Sequence, residues 1–538
     1  MSMADNTVEP ASHLAALPES PFAKKWWQRI DDVLTAIGDR LNPILVKETR
    51  QALKSRQFTA SFWLVLVFAA GWSFCGISLL MPQVYYFPSG RFMLVGYFVV
   101  LAIPLLLVVP FSAFRSLAIE LEDGTYELLS ITALSARQIV TGKLGSALMQ
   151  MLVYYAALAP CIAFTYLLRG LDFGTILIIL IGTFLMSILF SCVGLVFAGM
   201  HRSRQWQAIS SVLLLLLLIF ASWTWGYLMM MLLFEGNANF DQLEFWIGVC
   251  FALCIYLTFV TLLIQIAAAQ NSFVTDNRTT RIRGTLLVQL VVFAGWMIFY
   301  WIDTREDEIL VIALTIAGIF WTAYGAFMTG ELAELSPRAK RNLPQTFFGR
   351  TFLTWFNPGS ATGYVFSLST FLALVVLILG INIFAAANQP GMAYSVEDLT
   401  PFGLLMWSYM ALYLGLGRLI IIGLRKFSDF GVMAVVLIHV LLLTGAAALP
   451  TFLQFWMQNF RDADYSNLQA VNWLWSLIET LDGSWIMWPT VLTMGGAGLF
   501  MFCLNLVLAA REVEEKRLVT PTRVIEDDEL ESEAVTEA

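Results

Sequence analysis

Residues Arg115–Leu144, RSLAIELEDGTYELLSITALSARQIVTGKL, set carboxylates, a glycine and small apolar groups in a tight order between two long apolar stretches. The chemistry such a segment can do is charge-assisted docking: Glu120, Glu122 and Glu127 offer acceptor oxygens, while Leu128, Leu129 and Ile131 offer an apolar side. Gly124, after Glu120-Leu121-Glu122-Asp123, predicts a break in the incoming helix. Thr125 then caps a second short helix, with Glu127 in its first turn, where the helix dipole favours an acid. Ser135 with Gln138 three residues on is a capping-box pattern, and it leads through Ile139, Val140, Gly142, Lys143 and Leu144 into the next apolar run. A small, partly apolar helix joined to two membrane-spanning helices is a device for passing a push from a partner protein into the bundle.

Other constellations point to less chemistry. Gly142-Lys143 is followed by Leu144, and Arg137 stands where a phosphate loop would need its first glycine, so the chain is expected not to hydrolyse ATP itself. No catalytic, cofactor-binding or metal-binding residue is assigned. Cys250 and Cys254 share a helix face and could in principle hold Cu(I) as thiolates, but with no third Cys or His nearby apolar packing is the better reading. Met229-Met230-Met231 reads as flexible apolar filler. His439 is the one ionisable group deep in an apolar run, and it reads as a hydrogen-bonded packing residue before it reads as a proton relay. Asp462 and Asp464 form an acidic pair that a solvated turn explains, although a membrane enzyme acting on lipid-linked substrates would use such acids.

The order Glu120-x-Glu122-x-Gly124-Thr125-x-Glu127-Leu128-Leu129, then Thr132-x-Leu134-Ser135, then Ile139-Val140-x-Gly142-Lys143, resembles the signature loop of the permease subunits of type-2 ABC exporters. The segment Asn42-Pro43-Ile44-Leu45-Val46-Lys47-Glu48, running to Arg56, is similar to that family's N-terminal connecting helix. Ala133 and Ala136 stand where proline is common in the family, which loosens the turn. The resemblance implies that Glu120, Glu122, Gly124, Thr125, Glu127, Leu128, Leu129, Ser135, Gly142 and Lys143 form a docking surface for a cytoplasmic ABC ATP-binding subunit. It also implies that ATP is used by that partner and that no cofactor is bound directly.

The elements that must position this loop follow from composition. Apolar residues make up 59% of the chain and charged residues 13%, against about 45–50% and about 25% in soluble domains. Runs long enough to cross a bilayer lie near 58–81, 92–114, 145–168, 175–200, 208–234, 246–270, 285–301, 309–328, 362–386, 402–424, 431–455 and 487–510. Without period-two alternation these are helices, so the expected fold is an all-α polytopic transmembrane helix bundle of about twelve spans. With both termini cytoplasmic, 27 of the 31 Lys and Arg fall on the inner side, leaving Arg91, Arg169, Arg305 and Arg461 outside. That places the chain as a multi-pass protein of the cytoplasmic (inner) membrane, with the bilayer as one partner.

The expected order is a cytoplasmic N-terminal segment of interfacial and connecting helices at 1–57, a six-span half at 58–270 that contains the coupling loop 115–144, a second half at 271–510, and an acidic disordered tail at 511–538. No cleaved signal peptide is evident. Lys24, Lys25, Trp26, Trp27 and Arg29 could suggest nucleic acid in a soluble protein, but beside a first span they read as a helix on anionic headgroups, and no nucleic-acid partner is expected. In the second half the cytoplasmic loop 329–361 carries Glu334-Leu335-Ser336-x-Arg338, a faint echo of Glu127 to Arg137. Two readings stay open: a tandem pair of halves in one chain, or a core with an unrelated helical extension that pairs with a second permease chain as a homodimer. In the outer loop 456–486, Leu468, Val471, Leu474, Leu477 and Ile478 predict a helix at the outer interface, anchored by Trp473, Trp475, Trp485 and Trp488. The expected function is the permease component of an ATP-driven ABC exporter. An ion-gradient-driven secondary transporter is the first alternative, and the membrane enzyme is the second.

Overall fold

The computed structural model describes residues 42–126, 134–200, 203–235, 240–273, 276–332, 352–389, 391, 393–427, 431–459, 465–482 and 487–517. Among these residues twelve helices are long and apolar enough to cross a membrane, one over each of the twelve predicted runs. The fold is an all-α polytopic bundle. In chain order its helices are α1 Pro43–Leu53, α2 Arg56–Leu80, α3 Gly90–Glu122, α4 Ala136–Leu167, α5 Phe173–Gly199, α6 Arg204–Glu235 and α7 Leu243–Gln270. They continue as α8 Thr279–Thr304, α9 Glu308–Thr329, α10 Ser360–Asn388, α11 Val396–Leu424, α12 Val432–Met457, α13 Trp473–Leu481 and α14 Met487–Arg517. Helix α4 starts at Ala136 and not near 145, and α8 at Thr279 and not near 285. Their first turns carry Lys143 and Arg283, charges enclosed by the protein itself, which a search for unbroken apolar runs passes over.

The chain forms two compact units. The first draws its described residues from Met1–Glu120, Gln138–Ser191 and Leu213–Met230, and the second from Leu121–Arg137, Cys192–Val212 and Met231–Ala538. In the first unit, hydroxyl pairs tie the spans: Ser61 Oγ lies 2.6 Å from Tyr154 OH, and Ser73 Oγ 2.6 Å from Tyr97 OH. Pro104 cannot donate to the helical ladder, and α3 answers with a π-helical turn over Pro104–Val108. Ser187 Oγ donates to the Leu105 carbonyl within that turn, which resolves the polar group a membrane interior cannot solvate.

In the second unit α11 is the central helix, with 72% of its most apolar stretch buried against 17% for α12 and α14. Tyr364 OH donates to the Ala411 carbonyl at 2.8 Å and Trp407 Nε1 to the Leu368 carbonyl at 3.2 Å, both fixing α10 against α11. The predicted interfacial helix is split by Asn472, whose side chain caps α13, from a short 3-10 turn at Asn467–Val471.

Its polarity is inverted relative to a helix floating on a membrane. Gln469, Asn472, Ser476 and Thr480 are buried, whereas Leu468, Val471, Leu474 and Ile478 are exposed. Polar groups hold it: Gln469 Nε2 donates to Gln454 Oε1 at 2.6 Å, and Asn472 Nδ2 to Thr451 Oγ1 at 2.9 Å. Tyr409 OH donates to the Ala470 carbonyl at 2.6 Å, Tyr413 OH to that of Val471, and Ser476 Oγ to that of Gln469 at 3.0 Å. Irregular backbone whose carbonyls are satisfied by protein is tolerated at membrane depth, and the exposed Leu468, Val471, Leu474 and Ile478 offer an apolar face outward. Of the tryptophans expected as anchors, Trp473 donates its Nε1 N–H to the Leu443 carbonyl, and Trp485 lies outside the described residues.

Candidate functional site

The residues singled out in the loop divide between the two units. In the first unit Asn42 caps α1 by accepting from the Ile44 N–H at 3.1 Å, with Pro43 in the first turn, as the spacing predicts. Asn42 Nδ2 also donates to the Gln138 carbonyl at 2.5 Å, which ties the start of α1 to the start of α4. The contact needs glycine on α4. A Cβ on Gly142 would come within 2.9 Å of Ile44 Cγ2, and one on Gly145 within 2.7 Å of Leu45 Cδ1.

Beside this contact Lys143 extends inward. Its Nζ lies 3.0 Å from Glu120 Oε2, 3.4 Å from Glu48 Oε2 and 3.2 Å from the Ser116 carbonyl. The Lys143 side chain is 1% exposed, and those of Glu48 and Glu120 are 10% and 18% exposed. Lys47, on the rim, reaches Glu48 at 3.8 Å and Glu120 at 3.9 Å. One buried lysine thus joins α1, the end of α3 and the start of α4. Gly142 and Lys143, read from the sequence as docking residues, are enclosed by the protein, because α1 covers the face of α4 that bears them. Glu120 is spent mainly on the same tie.

In the second unit, α3 ends at Glu122 and Gly124 takes φ +68°, a left-handed conformation open to glycine without strain. Glu122, Asp123, Gly124 and Thr125 are exposed, and Ser135 is exposed immediately before α4 begins. Glu127, Leu128, Leu129 and Ile131 lie outside the described residues. Between the exposed residues and that stretch comes one that sequence reasoning missed. Tyr126 is buried, and its hydroxyl donates at 2.8 Å to the carbonyl of Asn271, the residue that ends α7. Asn271 Nδ2 in turn donates to the Ala267 carbonyl at 2.8 Å. Tyr126→Phe should therefore leave a buried carbonyl without its donor, at a cost of about 1–2 kcal/mol. A lowered thermal midpoint of the solubilised protein would report it, and an unchanged one would show that the bond is not formed.

Two arginines were counted in the sequence only for orientation, and both are enclosed. Arg283, on α8, donates to the carbonyls of Trp355, Asn357 (2.7 Å) and Gly359 (3.3 Å) and to Glu331 Oε2 at 2.6 Å. Its guanidinium also sits 5.8 Å from the Phe366 ring centroid. Arg418, on α11, donates to Asn505 Oδ1 at 2.7 Å and to Glu512 Oε2 at 2.9 Å. For Arg418 the sequence signal was present, a single cation inside the run 402–424 otherwise fit for lipid; Arg283, two residues after Arg281 and just before the run 285–301, carried no such mark. His439 is held by the Val435 carbonyl at 2.9 Å and lies 3.3 Å from Thr329 Oγ1, the packing role expected for it. Glu334, Ser336, Arg338, Asp462 and Asp464 lie outside the described residues.

Comparison with family models, with curated proteins and with solved structures finds no match to this chain. The reading of its function rests on its own residues.

Proposed function

We propose that the chain is the membrane-spanning permease subunit of an ATP-driven ABC transporter of the exporter type, and that a separate cytoplasmic ATP-binding subunit docks on the loop after α3. The observation that carries this reading is the loop itself. An exposed turn at Asp123-Gly124 ends α3, in the order that resembles the type-2 signature, and exposed Ser135 directly precedes α4. The Lys143 tie joins α1, the end of α3 and the start of α4 within the first unit, and in this reading a push on the loop passes along the chain into α3 and α4. In this reading Glu122 and Glu127 make polar contacts to the partner, Leu128 and Leu129 fill an apolar groove on it, and Gly124 permits the bend.

The test is copurification of the tagged full-length chain from its own membranes. A stoichiometric subunit with a phosphate loop is expected with the wild type and is expected to be lost from a Glu127→Ala, Leu128→Ala double variant that still inserts normally. Retention at wild-type levels by the variant would reject the docking surface, and failure to find such a subunit with the wild type would reject the permease reading. Two ATP-binding subunits per chain would favour a tandem permease, and one per chain a homodimer.

A second reading has an observation of its own. Arg418 with Glu512, and His439, are ionisable groups enclosed in the second unit, which an ion-gradient-driven transporter would need. Arg418 is already bonded to a carboxylate and an amide, and His439 to a carbonyl, so they serve packing before transport. Transport abolished by collapsing a proton or sodium gradient, with no dependence on ATP, would reverse that ranking.

A further inference from the structure

Along α12 of the second unit runs an apolar trough of about 860 Å³, floored by Thr444, Ala447, Ala448 and Thr451 and walled by Trp473 and Leu474 of α13. We propose that it is a binding slot for one acyl chain of a membrane phospholipid, in the leaflet where α13 is embedded.

Three observations lead to this occupant. The first is chemistry. The two threonine hydroxyls on the floor are spent on their own helix: Thr444 Oγ1 donates to the Val440 carbonyl at 2.7 Å, and Thr451 Oγ1 to that of Ala447 at 2.8 Å. The surface offered is therefore hydrocarbon, and a polar ligand would lose its hydrogen bonds on entering it. The second is length. From Thr444 to Phe455 the trough follows one face of α12 for roughly 16 Å at 1.5 Å per residue. That is about half of a ~30 Å hydrocarbon core, the depth of a single leaflet.

The third is continuity with the lipid-facing surface. Leu441, Leu449, Phe452 and Trp456 on α12 are all exposed, as are Leu474 and Ile478 of α13 in the same unit. Trp456 lies at the end of α12, at the level where tryptophans meet headgroups. The trough is thus open to the hydrocarbon along its length and closed on its protein side. Its walls are also fixed: the Trp473 indole N–H is bonded to the Leu443 carbonyl at 2.9 Å, and Asn472 ties α13 to Thr451 at 2.9 Å. A fixed groove holds a chain in one conformation, unlike the shifting contacts of bulk lipid.

The slot can be tested without reference to the motor that drives the protein. The full-length chain is reconstituted in phosphatidylcholine vesicles containing a trace of a phospholipid with a diazirine at mid-chain, irradiated, and the labelled peptides are mapped. Label is expected to concentrate on 444–455 and on Trp473–Leu474, to exceed that at Leu257 on the lipid face of α7, and to persist longer than the Leu257 label as unlabelled lipid is added. Ala448→Trp, which fills the trough, should lose the trough label and leave the Leu257 label unchanged. If that variant fails to elute as a single species, the milder Ala447→Leu replaces it with the same expectation. Trough label no stronger or more persistent than that at Leu257 would mean ordinary boundary lipid and would overturn the proposal. So would label unaffected by the filling variant, or crosslinks from 444–455 to a second copy of the chain.

Discussion

Replacing Lys143 with alanine is expected to destabilise the protein by about 3–5 kcal/mol, because it removes one partner of a buried ionic cluster and leaves the others behind. Glu48 and Glu120 would still meet Lys47, at 3.8 and 3.9 Å, but that ammonium is 61% exposed and solvent screens the contact. The Ser116 carbonyl would also lose its donor. Two carboxylates that have lost the buried cation between them repel, and the α1–α4 contact beside Gly142 would loosen to let water in. A Glu48→Gln, Glu120→Gln, Lys143→Met triple variant should recover most of the loss, since it removes the charges as a set. The measurement is the temperature at which the solubilised protein loses its monodisperse elution. A large drop for the single variant with substantial recovery in the triple variant is expected. A single variant that melts with the wild type would show that the two acids are solvated and that the tie is not formed.

How far the sequence revealed this cluster depends on the kind of contact. The twelve spans were readable because burial in lipid demands long apolar runs, and each one is present. The α1 cap and the break at Gly124 were readable because they depend on neighbours within three or four residues: Asn42 caps Ile44, and Gly124 supplies a positive φ. Lys143 was read as a docking residue from its place in the motif, and its inward direction was not legible. Whether a lysine near a helix start points to a partner or inward is decided by α1, about a hundred positions earlier in the chain. Tyr126 was invisible for the same reason, since its acceptor is a backbone carbonyl at Asn271, a contact that leaves no mark in residue type. The α13 element shows a different limit. Its helical period was plain, but the period does not say which face is wet. Gln454, Thr451, Tyr409 and Tyr413, on other helices, show that the polar face is the inner one.

Arg283→Lys is expected to fail as a conservative change, and the reason lies in the shape of the acceptor set. Four groups surround the guanidinium: the carbonyls of Trp355, Asn357 and Gly359, and Glu331. They are spread over five residues of backbone before α10 and over the residue-331 carboxylate after α9, and the planar fork reaches both sides at once. An ammonium is a point with three rotatable donors on a thinner stem. It can keep the Glu331 contact, but it leaves at least one carbonyl unmet, at about 1–3 kcal/mol per buried group. Arg283→Leu should cost more, since it also strands the carboxylate, and adding Glu331→Leu should return part of that loss. Faster hydrogen exchange in the peptide spanning 352–366, together with a lower melting temperature, would report the release of this segment from α8. The lysine variant should show both effects, at a smaller size than the leucine variant. If Arg283→Lys instead keeps wild-type exchange in that peptide, then a single charge suffices and the fork geometry does not hold the chain before α10.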